Sequence, residues 1–214
     1  MALKIIRIKK IQILLKSALV LSASLLLFSC VPETETPLIQ EDPNLVEALN
    51  TPTSGEKNLR KDFPRNYFEK FDNEIGFAIG ENGNYFPSTG SGNSSHMGKA
   101  LTFINQLEGG GGTVAAPVTM CSGAALIELG ITDISNEVSS ITTDGKGNLV
   151  WFTSTSNIFT SDEDPTIRLD FVAQLAIVGG TGKFEGATGG GEVTGFFNSL
   201  NGQGSSTIKG RITY

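Results

Sequence analysis

Few residues of this chain have the type and spacing to do chemistry. Its 214 residues include one histidine, His96, and two cysteines, Cys30 and Cys121. A zinc site needs a set of His, Cys or carboxylate ligands, and a nucleophile needs a base beside it, so this stock supports neither. His96 follows Gly90-Ser91-Gly92-Asn93-Ser94-Ser95, a run of turn residues, and reads as a structural or solvent-facing imidazole. Asp162, Glu163 and Asp164 are consecutive and therefore point apart, whereas calcium takes roughly six to eight oxygens around one centre. They read as a solvated loop before Pro165. Asp144, Lys146 and Asn148 lack the spacing and the closing Glu of a calcium loop. Gly182-Lys183 is followed by Phe184, where a phosphate loop needs Ser or Thr, and Gly180-Thr181-Gly182 runs to Glu185, where a dinucleotide loop needs glycine. No catalytic residue, metal or cofactor is assigned.

Cys30 is different, because of what precedes it. The first 30 residues carry five basic groups (Lys4, Arg7, Lys9, Lys10 and Lys16) and no acid, and Ser17 to Ser29 is an uncharged apolar run. Thirteen residues are too few to cross a bilayer as a helix, which takes roughly 20. A basic stretch followed by a short apolar one is the pattern of an export signal. Leu27-Phe28-Ser29-Cys30 resembles the lipobox of bacterial lipoproteins. The resemblance implies removal of residues 1–29, a diacylglyceryl thioether on Cys30 and a further acyl chain, palmitate in kind, on the new amine. Two or three chains anchor a protein stably where one does not. Val31 in place of Asp, with Glu33 and Glu35 close behind, resembles the sorting context of outer-membrane lipoproteins of Gram-negative bacteria. No intramolecular disulfide is expected for Cys121, whose neighbours Val118, Met120 and Ala124 suggest a buried, inert sulfur; a reactive thiol is the alternative.

The elements that follow fall into two regions. Residues 30–66 hold five of the eight prolines and one glycine, a composition that buries too little apolar surface to order itself, and they read as a flexible linker. Residues 67–214 hold the other 25 glycines, interleaved with short alternating segments, which indicates an all-β domain. Beyond residue 30 the chain carries 11 basic and 22 acidic groups, a formal −11, which argues against nucleic acid as a partner. Strands are expected at 74–80, 97–107, 113–119 or 124–129, 137–143, 148–157, 167–178, 191–199 and 205–214. Asp144-Gly145 marks a hairpin between the fourth and fifth of these, because glycine accepts the positive φ such a turn needs. Leu200 to Gly204 marks another between the last two. About eight strands suffice to close a small antiparallel barrel.

Gly179-Gly180-Thr181-Gly182-Lys183-Phe184-Glu185-Gly186-Ala187-Thr188-Gly189 resembles the signature of the allene oxide cyclase-like barrels, whose fold the dirigent proteins share. The resemblance implies an eight-stranded antiparallel barrel. The physical role expected for the run is structural: Gly179, Gly180, Gly182, Gly186 and Gly189 make the turn, and Phe184 plugs the barrel end. The cyclase activity does not carry over, since its catalytic residues have no one-to-one match here. The leading expectation is a lipid-anchored envelope protein with a non-catalytic barrel that binds a small apolar ligand. Phe77, Phe103, Trp151, Phe171 and Phe197 are candidates to line the pocket. A structural or adhesive surface module with a closed barrel is the alternative, and a cyclase or isomerase the third reading. The membrane, through acylated Cys30, is the expected partner; oligomeric state is not legible.

Overall fold

The computed structural model describes residues 63–160 and 167–214. The segments expected to be a signal peptide (1–29), lipidated Cys30 and a linker up to residue 62, and the acidic cluster Asp162–Asp164, lie outside the described residues. Twelve strands follow in chain order: β1 (Arg65–Ile75), β2 (Ala78–Gly80), β3 (Gly83–Tyr85), β4 (Ser88–Ser94), β5 (Gly98–Ile104), β6 (Gln106–Gly109), β7 (Gly112–Ala115), β8 (Ser140–Thr143), β9 (Leu149–Phe159), β10 (Arg168–Thr181), β11 (Thr188–Asn198) and β12 (Gln203–Thr213). Among the described residues one α-helix, α1 (Val118–Glu128), lies between β7 and β8.

Eight of these strands close on themselves in the order β10-β11-β12-β1-β4-β5-β8-β9, with β9 returning to β10. Every neighbouring pair is antiparallel. The expected eight-stranded barrel is therefore present, with β2, β3, β6 and β7 as four further strands outside the ring. The Asp144 hairpin joins β8 to β9 in register, Thr143 opposite Leu149. Asp144 accepts from the Lys146 and Asn148 backbone and from the Asn148 side chain. Partial burial opposes its charge, but these bonds outweigh it and hold the carboxyl below its usual range.

Two apolar cores flank the barrel wall. Inside, Val150, Phe152, Ile177, Phe184, Ala187 and Ile212 fill one end. Outside, α1 covers β5, β8 and β9 through Phe103, Val118, Leu126, Ile141 and Leu149. This second layer explains why all four residues of β8 are buried: Ser140 and Thr142 face the lumen while Ile141 faces the helix. Asn105 joins the layers. Its N–H donates to the Ser139 carbonyl and its side-chain amide to the Pro117 carbonyl at 2.9 Å, which fixes the entry to α1.

The structure corrects four expectations. Residues 118–128 form a helix, where a strand was expected at 113–119 or 124–129; only the start of the first segment is strand, as β7. Val118, Ser122 and Leu126 are buried four residues apart, a helical spacing. The helix ends in a Schellman turn: Ile131 N–H donates to the Leu126 carbonyl and Gly130 N–H to that of Ile127, with Gly130 at φ 71°. Second, the run Gly90–Ser95, read as a turn, belongs for the most part to a full barrel strand, Ser88–Ser94. It has almost no apolar residue because it packs close to β1, where a Cβ on Gly92 would collide with the Lys70 carbonyl oxygen. Third, the first strand begins at Arg65 and ends at Ile75, ahead of the expected 74–80 segment. Fourth, Cys121 is disulfide-bonded, with its partner outside the described residues. It lies on a helix outside the barrel, only partly buried beside Tyr85 and Ala116.

Candidate functional site

β1 carries the most distinctive side chains of the lumen. Its burial alternates strictly, so Tyr67, Glu69, Phe71 and Asn73 all point inward. Tyr67 lies at the packed end, Glu69 in the middle, and Phe71 and Asn73 border a cavity of about 90 Å³ that occupies the rest of the lumen. Phe71, Phe86, Phe159, Phe171 and Phe197 supply its aromatic wall. Phe171 and Phe197 stand 6.5 Å apart, and Phe159 and Phe197 6.2 Å in an edge-on arrangement. Neutral polar side chains interrupt this wall. Asn73 donates to Ser206 at 2.7 Å, Asn157 to Thr113 at 2.6 Å, and Thr113 to Gln106 at 3.2 Å.

Below the cavity floor lies a buried carboxyl group. Glu69 is fully buried; Tyr67 Oη donates to its Oε1 at 2.5 Å and Thr142 Oγ1 to its Oε2 at 3.0 Å. Burial raises its pKa from 4.5 to about 7, against the opposing pull of these two bonds. Among the described residues no cation pairs with it. Ser94 Oγ is buried and makes no geometrically defined bond, yet it faces Glu69 and Tyr67 closely enough to favour their charged forms. Burial and the neighbouring carboxylate push the Tyr67 phenol upward, so it stays a donor throughout the working pH range. Glu69 does not itself border the cavity; Thr142 does, and stands between them.

The predicted pocket residues divide. Phe171 and Phe197 line the cavity. Phe103 and Trp151 instead lie on the outer face, in the core under α1, while their neighbours Thr102, Ile104 and Phe152 face the lumen. Both faces of β5 and β9 are apolar, so alternation alone could not assign the inner one. Phe77 is 57% exposed, outside the ring and 5.9 Å from Phe86. Sequence reasoning missed Glu69, Phe71 and Asn73, although the alternation Tyr67, Glu69, Phe71, Asn73 was a legible strand signal. The inward carboxylate among apolar residues disguised it.

The glycine-rich run forms the turn at the packed end. Gly179 and Gly180 end β10, Gly182 adopts φ 62° and Gly186 φ 72°, and Gly189 sits near the start of β11. Phe184 is fully buried, its ring 4.7 Å from that of Tyr214. His96 lies at this same end, away from the cavity. A carbonyl can only accept, so His96 Nε2–H donates to Asn66 O at 2.8 Å, which leaves Nδ1 to accept from Tyr214 Oη at 3.2 Å. With both nitrogens engaged and its ring stacked on Tyr67, His96 is a structural group. Among the described residues no cluster of three or more His, Cys, Asp or Glu could hold a metal ion. Compared with protein-family models, curated proteins and solved structures, the chain matches none.

Proposed function

We propose that this chain is a lipid-anchored cell-envelope protein whose non-catalytic barrel binds a small, mainly apolar molecule in its lumen. The observation that carries the reading is the aromatic-walled cavity of about 90 Å³ inside a closed barrel. Ligand sites are concave, largely apolar and set with a few polar groups that orient the occupant, and this lumen has that make-up. A sealed cavity of about 150 Å³ accepts a benzene ring. This one is smaller but not sealed, so it suits one end of a molecule whose remainder projects outward. The barrel's likeness to the allene oxide cyclase-like signature supports the scaffold and not the chemistry.

Native mass spectrometry of the full chain, extracted gently from its membrane, tests the reading. A reproducible extra mass that is lost after denaturation and refolding is the expected result. An unchanged mass would favour the structural or adhesive alternative, in which the barrel acts through its outer surface. The same spectra test the anchor. A thioether and a disulfide compete for one sulfur, and the chain has two cysteines, so Cys30 cannot both carry lipid and bond to Cys121. The anchor therefore requires that the mature protein lack the Cys121 disulfide of the 214-residue chain. A chain beginning at Cys30 with an acyl mass and a reduced Cys121 is expected, whereas an unacylated oxidised chain would overturn the anchor.

Proton-transfer chemistry is a second reading, favoured by one observation: a buried carboxyl group with a pKa of about 7 can give or take a proton at neutral pH. The interposed Thr142 weighs against it, because a catalytic acid must reach the atom it protonates.

A further inference from the structure

The cavity wall says more about its occupant than that it is apolar. Among the described residues, no Asp, Glu, Lys, Arg or His borders the lumen cavity. A charged head group would enter without a counter-ion, at a desolvation cost that the wall does not offset. Fatty acids, amines and phosphorylated molecules are therefore disfavoured, and the ligand is neutral.

The hydrogen-bonding inventory then sets the sense of its polar group. Three of the cavity-lining residues hold a buried polar atom without a partner: Asn73 Oδ1, Asn157 Oδ1 and Ser88 Oγ. Asn73 is 5% exposed and Ser88 6%. Thr113 donates its single proton to Gln106 Oε1 and accepts from Asn157 Nδ2, which leaves the Asn157 oxygen over. Asn73 likewise spends Nδ2 on Ser206. Both amide leftovers are acceptors, and the Ser88 hydroxyl can serve in either sense. Buried acceptors left unmatched cost stability, and a donor brought into the lumen recovers it.

We infer that the lumen selects neutral molecules with an apolar body and a hydrogen-bond-donating head, alcohols above all, which Asn73 and Asn157 receive. This rests on the binding reading given above and names the class of ligand. The test uses the full-length protein and three ring compounds of similar size: benzyl alcohol, benzyl methyl ether and ethylbenzene. Only the first carries a donor. The side-chain amide signals of Asn73 and Asn157, followed by NMR during titration, report on the lumen itself and not on uptake by surrounding detergent.

Benzyl alcohol is expected to saturate these signals at roughly tenfold lower concentration than the other two, and Asn157→Leu should remove that preference while ethylbenzene still binds. Should that variant not fold, Asn73→Leu read at Asn157 serves instead. Equal saturation by all three compounds, or preference for the ether, overturns the donor assignment and leaves a binding barrel. Saturation by none overturns both.

Discussion

At the residue scale, Glu69 stands out because burial and hydrogen bonding act on it in opposite directions. Burial wins, and its pKa is about 7 in the folded chain against an ordinary 4.5. A carboxyl whose folded pKa is raised contributes stability that is fully present below pH 4.5 and is lost as pH rises through 7. The loss amounts to about 3 kcal/mol. Glu69→Gln keeps the shape and cannot ionise, so denaturation of this variant should lack that slope and be more stable than the parent at pH 8. An unchanged slope would show that another group is responsible. Phe184 carries a simpler load. It is fully buried against Tyr214, and Phe184→Ala should cost about 3–5 kcal/mol by the same measurement.

At the element scale, β4 and α1 show how much local pattern can conceal. Apart from Thr89, β4 is made of Ser, Gly and Asn, with glycine and asparagine poor strand formers, and it is held because β1 and β5 both pair with it along its length. Gly92→Ala would drive a methyl group into the Lys70 carbonyl oxygen, and should cost about 2 kcal/mol or more. Ser91→Ala, on the exposed side of the same strand, should change stability by about 0.5 kcal/mol or less. Such a contrast in thermal melts would locate the constraint in close strand packing; equal effects would refute it. α1 was legible in part. Gly130 after Leu129 is a helix stop, and Val118, Ser122 and Leu126 repeat every four residues, but β-rich surroundings and glycine at 123 favoured a strand reading. Gly130→Ala meets no neighbour yet must adopt φ 71°, and should cost about 1 kcal/mol.

At the scale of the whole molecule, the barrel and its anchor make separable predictions. Under the proposed lipidation of Cys30, Cys30→Ser should move the protein from the detergent phase to the aqueous phase on partitioning, because acyl chains would supply its membrane affinity. If it stays with the detergent, another segment anchors it. Among the described residues no helix is long and apolar enough to cross a membrane. The barrel class, the Asp144 hairpin, the final hairpin and the glycine-rich turn were legible in the sequence, since each is dictated by local rules: alternation, glycine at positive φ, and many short strands. Which face of β5 and β9 lines the lumen was not, and Phe103 and Trp151 were placed inside although they pack beneath α1. A strand buried on both sides carries no alternation to read, and only the position of the helix decides its parity. Nor could local sequence show that Glu69, Thr142 and Tyr67 meet. Glu69 and Thr142 are 73 positions apart, brought together when β9 closes on β10 and the lumen becomes one shared interior.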